Sequence, residues 1–240
     1  MAQPPSPLGS VDKALLTLDA LARAGARGLA LAELAGEVGA NKSTLHRTLA
    51  ALRHRGYAEQ TAAGDYRLGP AVLALGTAFL SEENLPGIVR PALEALRDEV
   101  DELVHLGTLA GHEVVYLDKV EPQRPVRVWS AVGRRLPAAT TALGRAMLAT
   151  APSPAAGDRL SPLLAEARER GYAAETEENE PGIACVAVAV LRAGRPVAAV
   201  SVTAPVERLT GDGRAARVAA LRDVLSRTLP PGLTIPAPLG

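Results

Sequence analysis

Hydrophobic residues recur along this chain in two periods, and the change between them falls near Leu103. Before that point leucine, valine and alanine return every three or four positions, as on a helix with one face in a core. Ser10 can cap a first helix over Val11–Ala24 with an apolar stripe of Val11, Leu15, Leu18 and Ala22. Residues 31–55 read as two further helices meeting at a sharp turn. In the first, Leu34 and Val38 lie one turn apart, and small Ala35 lets another helix pass closely. Gly39 stands where the chain must leave that helix, a place suited to a residue without Cβ. Asn41 is a good cap for the second, whose Leu45, Leu49 and Leu52 form an i, i+4, i+7 stripe. Its other face shows Lys42, Ser43, His46, Arg47 and Ala50, with Thr44 in the first turn.

Two short β-prone runs follow, Gly56–Gln60 and Tyr66–Leu68, around a turn at Ala63-Gly64-Asp65. A hairpin directly after a basic helix is the pattern of a winged helix-turn-helix, whose second helix enters the DNA major groove by its N-terminal end. Lys42, Ser43, Thr44, His46 and Arg47 are then the candidates at the groove, and Arg53, Arg55 and Arg67 the candidates beside phosphates. The plainer alternative is an amphipathic helix pair with a solvated charged face. Pro70 can open a helix over Pro70–Ser81 carrying Val72, Leu73, Leu75, Phe79 and Leu80, apolar on more than one side. Gly76 in its middle weakens it by about 1 kcal/mol against alanine. Such a helix packs against a second copy or is buried within one monomer. Asn84-Leu85-Pro86 breaks the run, and a helix over Ile88–Asp98 begins a second domain.

From Leu103 the period shortens to two. Leu103–Leu109 and Glu113–Leu117 read as strands joined across Gly111-His112, and Val126–Trp129 as a third. Helices are expected over Ala142–Ala149 and Pro154–Gly171, then a hairpin of Ile183–Leu191 and Pro196–Thr203 across Ala193-Gly194. Asp212–Thr228 is the last helix. The mixture predicts an α+β domain with an antiparallel sheet. The expected organisation is a disordered start (1–9), a winged helix-turn-helix (10–69), a linker helix (70–85), the α+β domain (86–229) and a flexible proline-rich tail (230–240).

Charge changes this picture only locally. Lys+Arg and Asp+Glu are both 26, so there is no general attraction for polyanions. From Asn41 to Gly56, however, four basic residues occur with no acidic one. Aromatics are scarce, which disfavours a single-strand or RNA binder that stacks bases. A lone cysteine, Cys185, leaves no intrachain disulfide and no cysteine-rich zinc site. No run approaches the roughly 18 apolar residues of a membrane span, and MAQPPSPLGS lacks the features of a secretory signal. A soluble, cytoplasmic protein without membrane partner, metal or cofactor is expected.

Candidate chemistry is sparse. Thr140 and Thr141 precede a helix, so the amides of Ala142, Leu143 and Gly144 form either a carboxylate site or a plainly capped terminus. Cys185 with His105 or His112 offers a nucleophile and a base, and the histidines a metal site, but no catalytic or phosphate-loop motif accompanies them.

Taken in order, several runs resemble the IclR family of bacterial transcriptional regulators over about residues 10–228. They are Asn41-Lys42-Ser43-Thr44-Leu45-His46-Arg47, Tyr66-Arg67-Leu68-Gly69, Gly133-Arg134-Arg135-Leu136-Pro137 and Thr141-Ala142-Leu143-Gly144-Arg145-Ala146. Gly171-Tyr172-Ala173, Glu177-Glu178, Gly182-Ile183-Ala184-Cys185-Val186-Ala187 and Ser201-Val202-Thr203 complete the series. The resemblance implies a winged helix, a dimerising linker helix and a GAF-like effector-binding domain. It implies dimers or dimers of dimers on palindromic promoter sites, controlled by a small metabolite. It places the effector against Leu136, Thr141, Ala142, Leu143, Gly144, Glu175, Cys185, Ser201 and Thr203, a set suited to a small organic acid. For Cys185 a small buried apolar role, and for Ser201 and Thr203 simple exposure, remain the alternatives. This chain departs from the family's pattern at Glu175 (usually aspartate), Thr203 (often serine), Ala189 (usually proline) and Arg145 (usually lysine). The longer Glu175 and bulkier Thr203 should reshape the cavity. The rival function is a winged-helix protein whose second domain is catalytic or purely an interaction module.

Overall fold

The computed structural model describes residues 9–82, 84–124, 128, 130–151 and 160–239. The expected disorder before Gly9 lies outside them. The chain divides into two compact units, Met1–Asn84 and Leu85–Gly240.

In the first unit α1 (Gly9–Ala24) packs with α2 (Leu31–Val38) and α3 (Lys42–His54) around Leu21, Leu34, Leu45 and Leu49. The buried stripe of α1 is not the expected one. Thr17, Ala20 and Leu21 are buried, whereas Val11 and Leu15 are exposed. The helix has apolar residues on two faces, and the core takes the one whose short Thr17 and Ala20 let its neighbours approach. Thr17 satisfies its hydroxyl on the Lys13 carbonyl, 2.6 Å away. Ser10 lies inside the helix rather than capping it.

Gly39 ends α2 in the left-handed region, φ +64°, and sends the chain directly to Asn41. There Asn41 Oδ1 accepts from the Thr44 amide at 2.8 Å and from the Ser43 hydroxyl at 2.9 Å. The wing is an antiparallel hairpin of β1 (Ala58–Gln60) and β2 (Tyr66–Leu68), with Glu59 opposite Arg67. Leu29 exchanges both backbone hydrogen bonds with Tyr66, tying the wing to the segment between α1 and α2. Helix α4 (Ala71–Glu82) follows and leaves Leu73 73% and Phe79 53% exposed.

The second unit starts with α5 (Leu85–Val100), earlier than expected. Pro86 sits in its first turn, where a missing amide breaks no helical bond, so Leu85-Pro86 opens the helix rather than interrupting the chain. The sheet comprises β3 (Leu103–Ala110), β4 (Glu113–Val120), β5 (Arg135–Pro137), β6 (Ala173–Thr176), β7 (Ile183–Arg192), β8 (Arg195–Pro205) and β9 (Leu233–Thr234). Every pairing is antiparallel, in the order β5-β4-β3-β8-β7-β6 with β9 on the end of β7. The expected strand Val126–Trp129 falls largely outside the described residues, as does the start of the helix expected from Pro154. Its described part is α7 (Leu160–Arg170).

The sheet is covered on both faces. α5 and α8 (Gly211–Thr228) pack on Val186, Val188, Val200 and Val202; α6 (Ala142–Thr150) and α7 pack on Ala187, Ala189 and Ala199. Small residues on the second side draw α6 close. A Cβ on Gly144 would lie 2.2 Å from the Ala138 carbonyl oxygen. The tail expected to fray is docked instead. β9 pairs with Leu191 and Arg192, Arg222 donates to the carbonyls of Gly171 (2.7 Å) and Pro236 (2.9 Å), and the Leu239 amide donates to Glu169 (2.9 Å). Proline removes amide donors but not carbonyl acceptors, and a half-buried arginine supplies the donors.

Candidate functional site

Two groups of the residues singled out above occupy quite different surroundings. On α3 the leucines at 45 and 49 are buried, which turns Lys42, Ser43, His46 and Arg47 outward. Thr44 is half-buried behind the cap. Lys42, His46, Arg47 and Arg55 form no ion pair with a described residue. Arg53 leans on the wing, donating to Gln60 Oε1 at 3.1 Å. Arg67 is half-buried in the hairpin and pairs with Glu59 at 2.6 Å, so its charge is partly answered within the wing. The first turn of α3 holds no acidic residue, leaving the positive end of the helix uncompensated.

The second group is assembled by strand register. Glu175 faces Cys185 across β6 and β7, Cys185 faces Thr203 across β7 and β8, and Ser201 faces His105 across β8 and β3. Side chains alternate across a sheet, so the valines between these positions go to the α5–α8 side. The polar members go to the α6 side. There they line a cavity of about 40 Å³ with Tyr116, Ser130, Arg134, Leu136, Thr141, Ala142, Leu143 and Asn179. Ser201 and Thr203 are therefore buried, against the alternative of simple exposure.

Burial sets the electrostatics. His105 is enclosed, stacks on Tyr116 with ring centroids 4.5 Å apart, and hydrogen-bonds Ser130 at 2.9 Å and Thr203 at 3.4 Å. Desolvation, then the charges of Lys119 and Arg134, lower its pKa to about 3, so the ring is neutral. Burial likewise raises the Tyr116 hydroxyl. It also raises Glu175, against the pull of hydrogen bonds from Cys185 and the Glu178 amide. The Cys185 thiol is pushed well up by burial and by the nearby Glu175 carboxyl. A nucleophile–base pair is thereby ruled out in this arrangement. The Thr203 hydroxyl stands between Cys185 (3.1 Å) and His105 (3.4 Å), the thiol holds its proton, and His112 lies exposed in the β3–β4 turn.

At the mouth, Thr141 caps α6 by accepting from the Gly144 amide at 3.1 Å. Gly144 is thus corrected: its amide is occupied and it does not line the cavity, its role being close packing on Ala138. Ala142 and Leu143 do line it, and their first-turn amides have no partner within the helix. Arg145, noted only as a departure, is 4% exposed and clasps the mouth. It donates to the carbonyls of Ala139 (2.8 Å) and Ala174 (3.1 Å) and pairs with both oxygens of Glu178. Beside it the Asn179 amide donates to the Thr140 carbonyl at 2.7 Å. Sequence reasoning missed Tyr116, Ser130, Arg134 and Asn179 as lining residues. Tyr116, the one aromatic residue of β4, was the available signal.

Comparison with known proteins agrees with both halves. The IclR helix-turn-helix model matches residues 10–62, and the model of the bacterial transcriptional regulator IclR C-terminal region matches 77–157 and 153–227. The HTH-type transcriptional regulator XynR of Escherichia coli is 33% identical over 221 residues, 83% of this chain and 87% of that protein. The transcriptional repressor IclR of the same organism is 31% identical over 210 residues, 77% of this chain and 76% of its own length. The crystal structure of an IclR-type regulator from Silicibacter sp. TM1040 superposes with a TM-score of 0.76 at 28% identity, covering 93% of this chain and 98% of the other. Among the described residues, no helix is long and apolar enough to cross a membrane.

Proposed function

The chain belongs to the IclR family of bacterial transcriptional regulators, and on that premise we propose that α3 reads a duplex promoter while the cavity takes a small organic acid that controls the reading. One observation carries this: polar side chains scattered over Thr141–Thr203 converge on one buried cavity beneath the N-terminus of α6. The amides of Ala142 and Leu143 suit a carboxylate. Leu136 forms an apolar wall, and Glu175, Cys185, Ser201 and Thr203 supply hydrogen bonds. At about 40 Å³ the cavity has room for a few water molecules at roughly 10–15 Å³ each. An acid controls the reading by binding one arrangement of the chain more tightly than the other.

Lys42, Ser43 and Arg47 are assigned to base edges and neighbouring phosphates, with Thr44 and His46 at the groove wall. Arg53 and Arg55 are assigned to phosphates, and Arg67 more weakly because of Glu59. The bare apolar residues of α4, with Val11 and Leu15 on α1, support self-association. A two-fold dimer, or a dimer of dimers, then meets palindromic half-sites about 34–36 Å or its multiples apart. The protein acts in the cytoplasm, as a regulator rather than an enzyme.

The test of the pocket is a thermal-shift screen of small organic acids. The stabilisation by a binding acid is expected to vanish in Ser201→Ala and in Glu175→Ala. An acid indifferent to both would place the binding site elsewhere. For assembly, Phe79→Glu is expected to shift sedimentation towards the monomer.

A further inference from the structure

The hairpin of the first unit is a wing without an unanswered cation. From Ala58 to Tyr66 it carries Glu59 and Asp65 but no lysine or arginine, and the charge of Arg67 is met by Glu59. A basic side chain at such a tip can enter a narrow minor groove, where the negative potential is enhanced; this tip, residues 61–65, presents Asp65 instead. It is nevertheless firmly closed. The Thr61 amide donates to the Asp65 carbonyl at 2.8 Å, the Gly64 amide to the Thr61 carbonyl at 3.0 Å, and the Asp65 amide to the Thr61 hydroxyl at 3.2 Å. One side chain joins this tip to α3. The Gln60 amide nitrogen donates to the Gly64 carbonyl at 2.8 Å, while its oxygen accepts from Arg53 Nη1 at 3.1 Å.

We propose that Gln60 is a positioning residue for DNA binding: it braces α3 against the wing and holds Arg53 in place for a phosphate without neutralising it. The inference rests on the assignment of Arg53 to phosphates above and adds what orders that side chain. A neutral amide donates on one side and accepts on the other, so a single residue serves both neighbours. A carboxylate at this position would accept from Arg53 but lose the bond to Gly64 and answer the charge, as Glu59 does for Arg67 across the hairpin. Arg53 is exposed, forms no ion pair with a described residue, and bonds no described side chain other than Gln60. An unbraced arginine loses rotamer freedom when it meets DNA, and one already ordered by Gln60 has less to lose. The wing thus contributes to binding through α3 rather than through a contact of its own tip.

The experiment is fluorescence anisotropy of the full chain on a labelled duplex that the wild-type protein has selected from a randomised pool, read over a series of salt concentrations. Gln60→Ala is expected to weaken binding by about three- to tenfold with the logarithmic salt slope unchanged, because Arg53 still reaches its phosphate but must be ordered on arrival. Gln60→Glu should instead make the slope shallower by about one, as Arg53→Ala does. In the Arg53→Ala background, Gln60→Ala should cost nothing further. Wild-type affinity in Gln60→Ala, alongside weakened binding in Arg53→Ala, overturns the inference and leaves the phosphate assignment standing. Additive losses in the double variant also overturn it, since Gln60 would then act independently of Arg53. Weaker binding by Gln60→Ala together with a lower urea midpoint would trace the loss to the wing's own stability and likewise overturn it. If Arg53→Ala itself binds as the wild type does, the phosphate assignment falls first and this inference with it.

Discussion

The two functional regions handle polar groups in opposite ways. On α3 and at its C-terminal end, Lys42, His46, Arg47 and Arg55 stand in solvent without an ion pair to a described residue, while the leucines behind them hold the helix. In the cavity of the second unit almost every polar group is bonded to another, through Glu175, Cys185, Thr203, His105, Ser130, Arg145 and Glu178. Water explains the difference. An exposed cation costs nothing to leave open and attracts a polyanion from a distance. A buried group must be satisfied even when no ligand is present, or the fold loses stability. A surface that meets a large charged partner can therefore be read from unanswered charges. A cavity is better read from the few groups left unanswered among many that are paired.

That contrast can be broken or sharpened by measurement. The largest effect is expected at the clasp: Arg145→Ala removes a buried four-bond arginine and leaves the carbonyls of Ala139 and Ala174 without their donor, while the more exposed Glu178 regains water, and should cost about 2–4 kcal/mol in urea unfolding. A loss below 1 kcal/mol would mean the mouth is held otherwise. On the open side, Arg47→Ala should leave stability unchanged but cost about 1–3 kcal/mol in binding to the cognate promoter, seen as lost sequence preference in gel shifts. Next comes acid. An unfolded histidine titrates near 6.5 and folded His105 at about 3, so between these values the unfolded chain binds the extra proton. Stability should therefore be lost as the pH is lowered through that window, His105 contributing a slope of up to about 1.4 kcal/mol per pH unit. The difference between wild type and His105→Gln across a pH series isolates this slope, and parallel curves would contradict the buried neutral ring. The smallest effect separates the two wing-side arginines. Arg53→Ala should make the logarithmic salt slope of DNA binding shallower by about one, and Arg67→Ala by less, since Glu59 already answers it. Equal changes would remove that distinction.

The legible parts share one property: they depend on residues near each other in sequence. The Gly39 turn, the Asn41 cap, the α3 stripe and the β7–β8 hairpin all close over a few positions, and all stand where local chemistry places them. The α1 stripe misled because two apolar faces compete on that helix, and only the shape of α2 and α3 decides between them. Short β5, β6 and β9 carry too few residues to show a period. The tail looked free because prolines remove donors, and the compensating donor, Arg222, lies on another element.

What the sequence determined by itself was the order of elements, the exposed basic helix and the kinship of the chain, because helical and strand periods and local caps are written residue by residue. What the tertiary structure alone decided was which polar side chains meet. Register across β6, β7, β8 and β3 sets Glu175, Cys185, Thr203, Ser201 and His105 on one face. Close packing at Gly144 brings α6 down over them. Such meetings join residues up to a hundred positions apart, and only the closed backbone, with its buried and satisfied hydrogen bonds, can specify them.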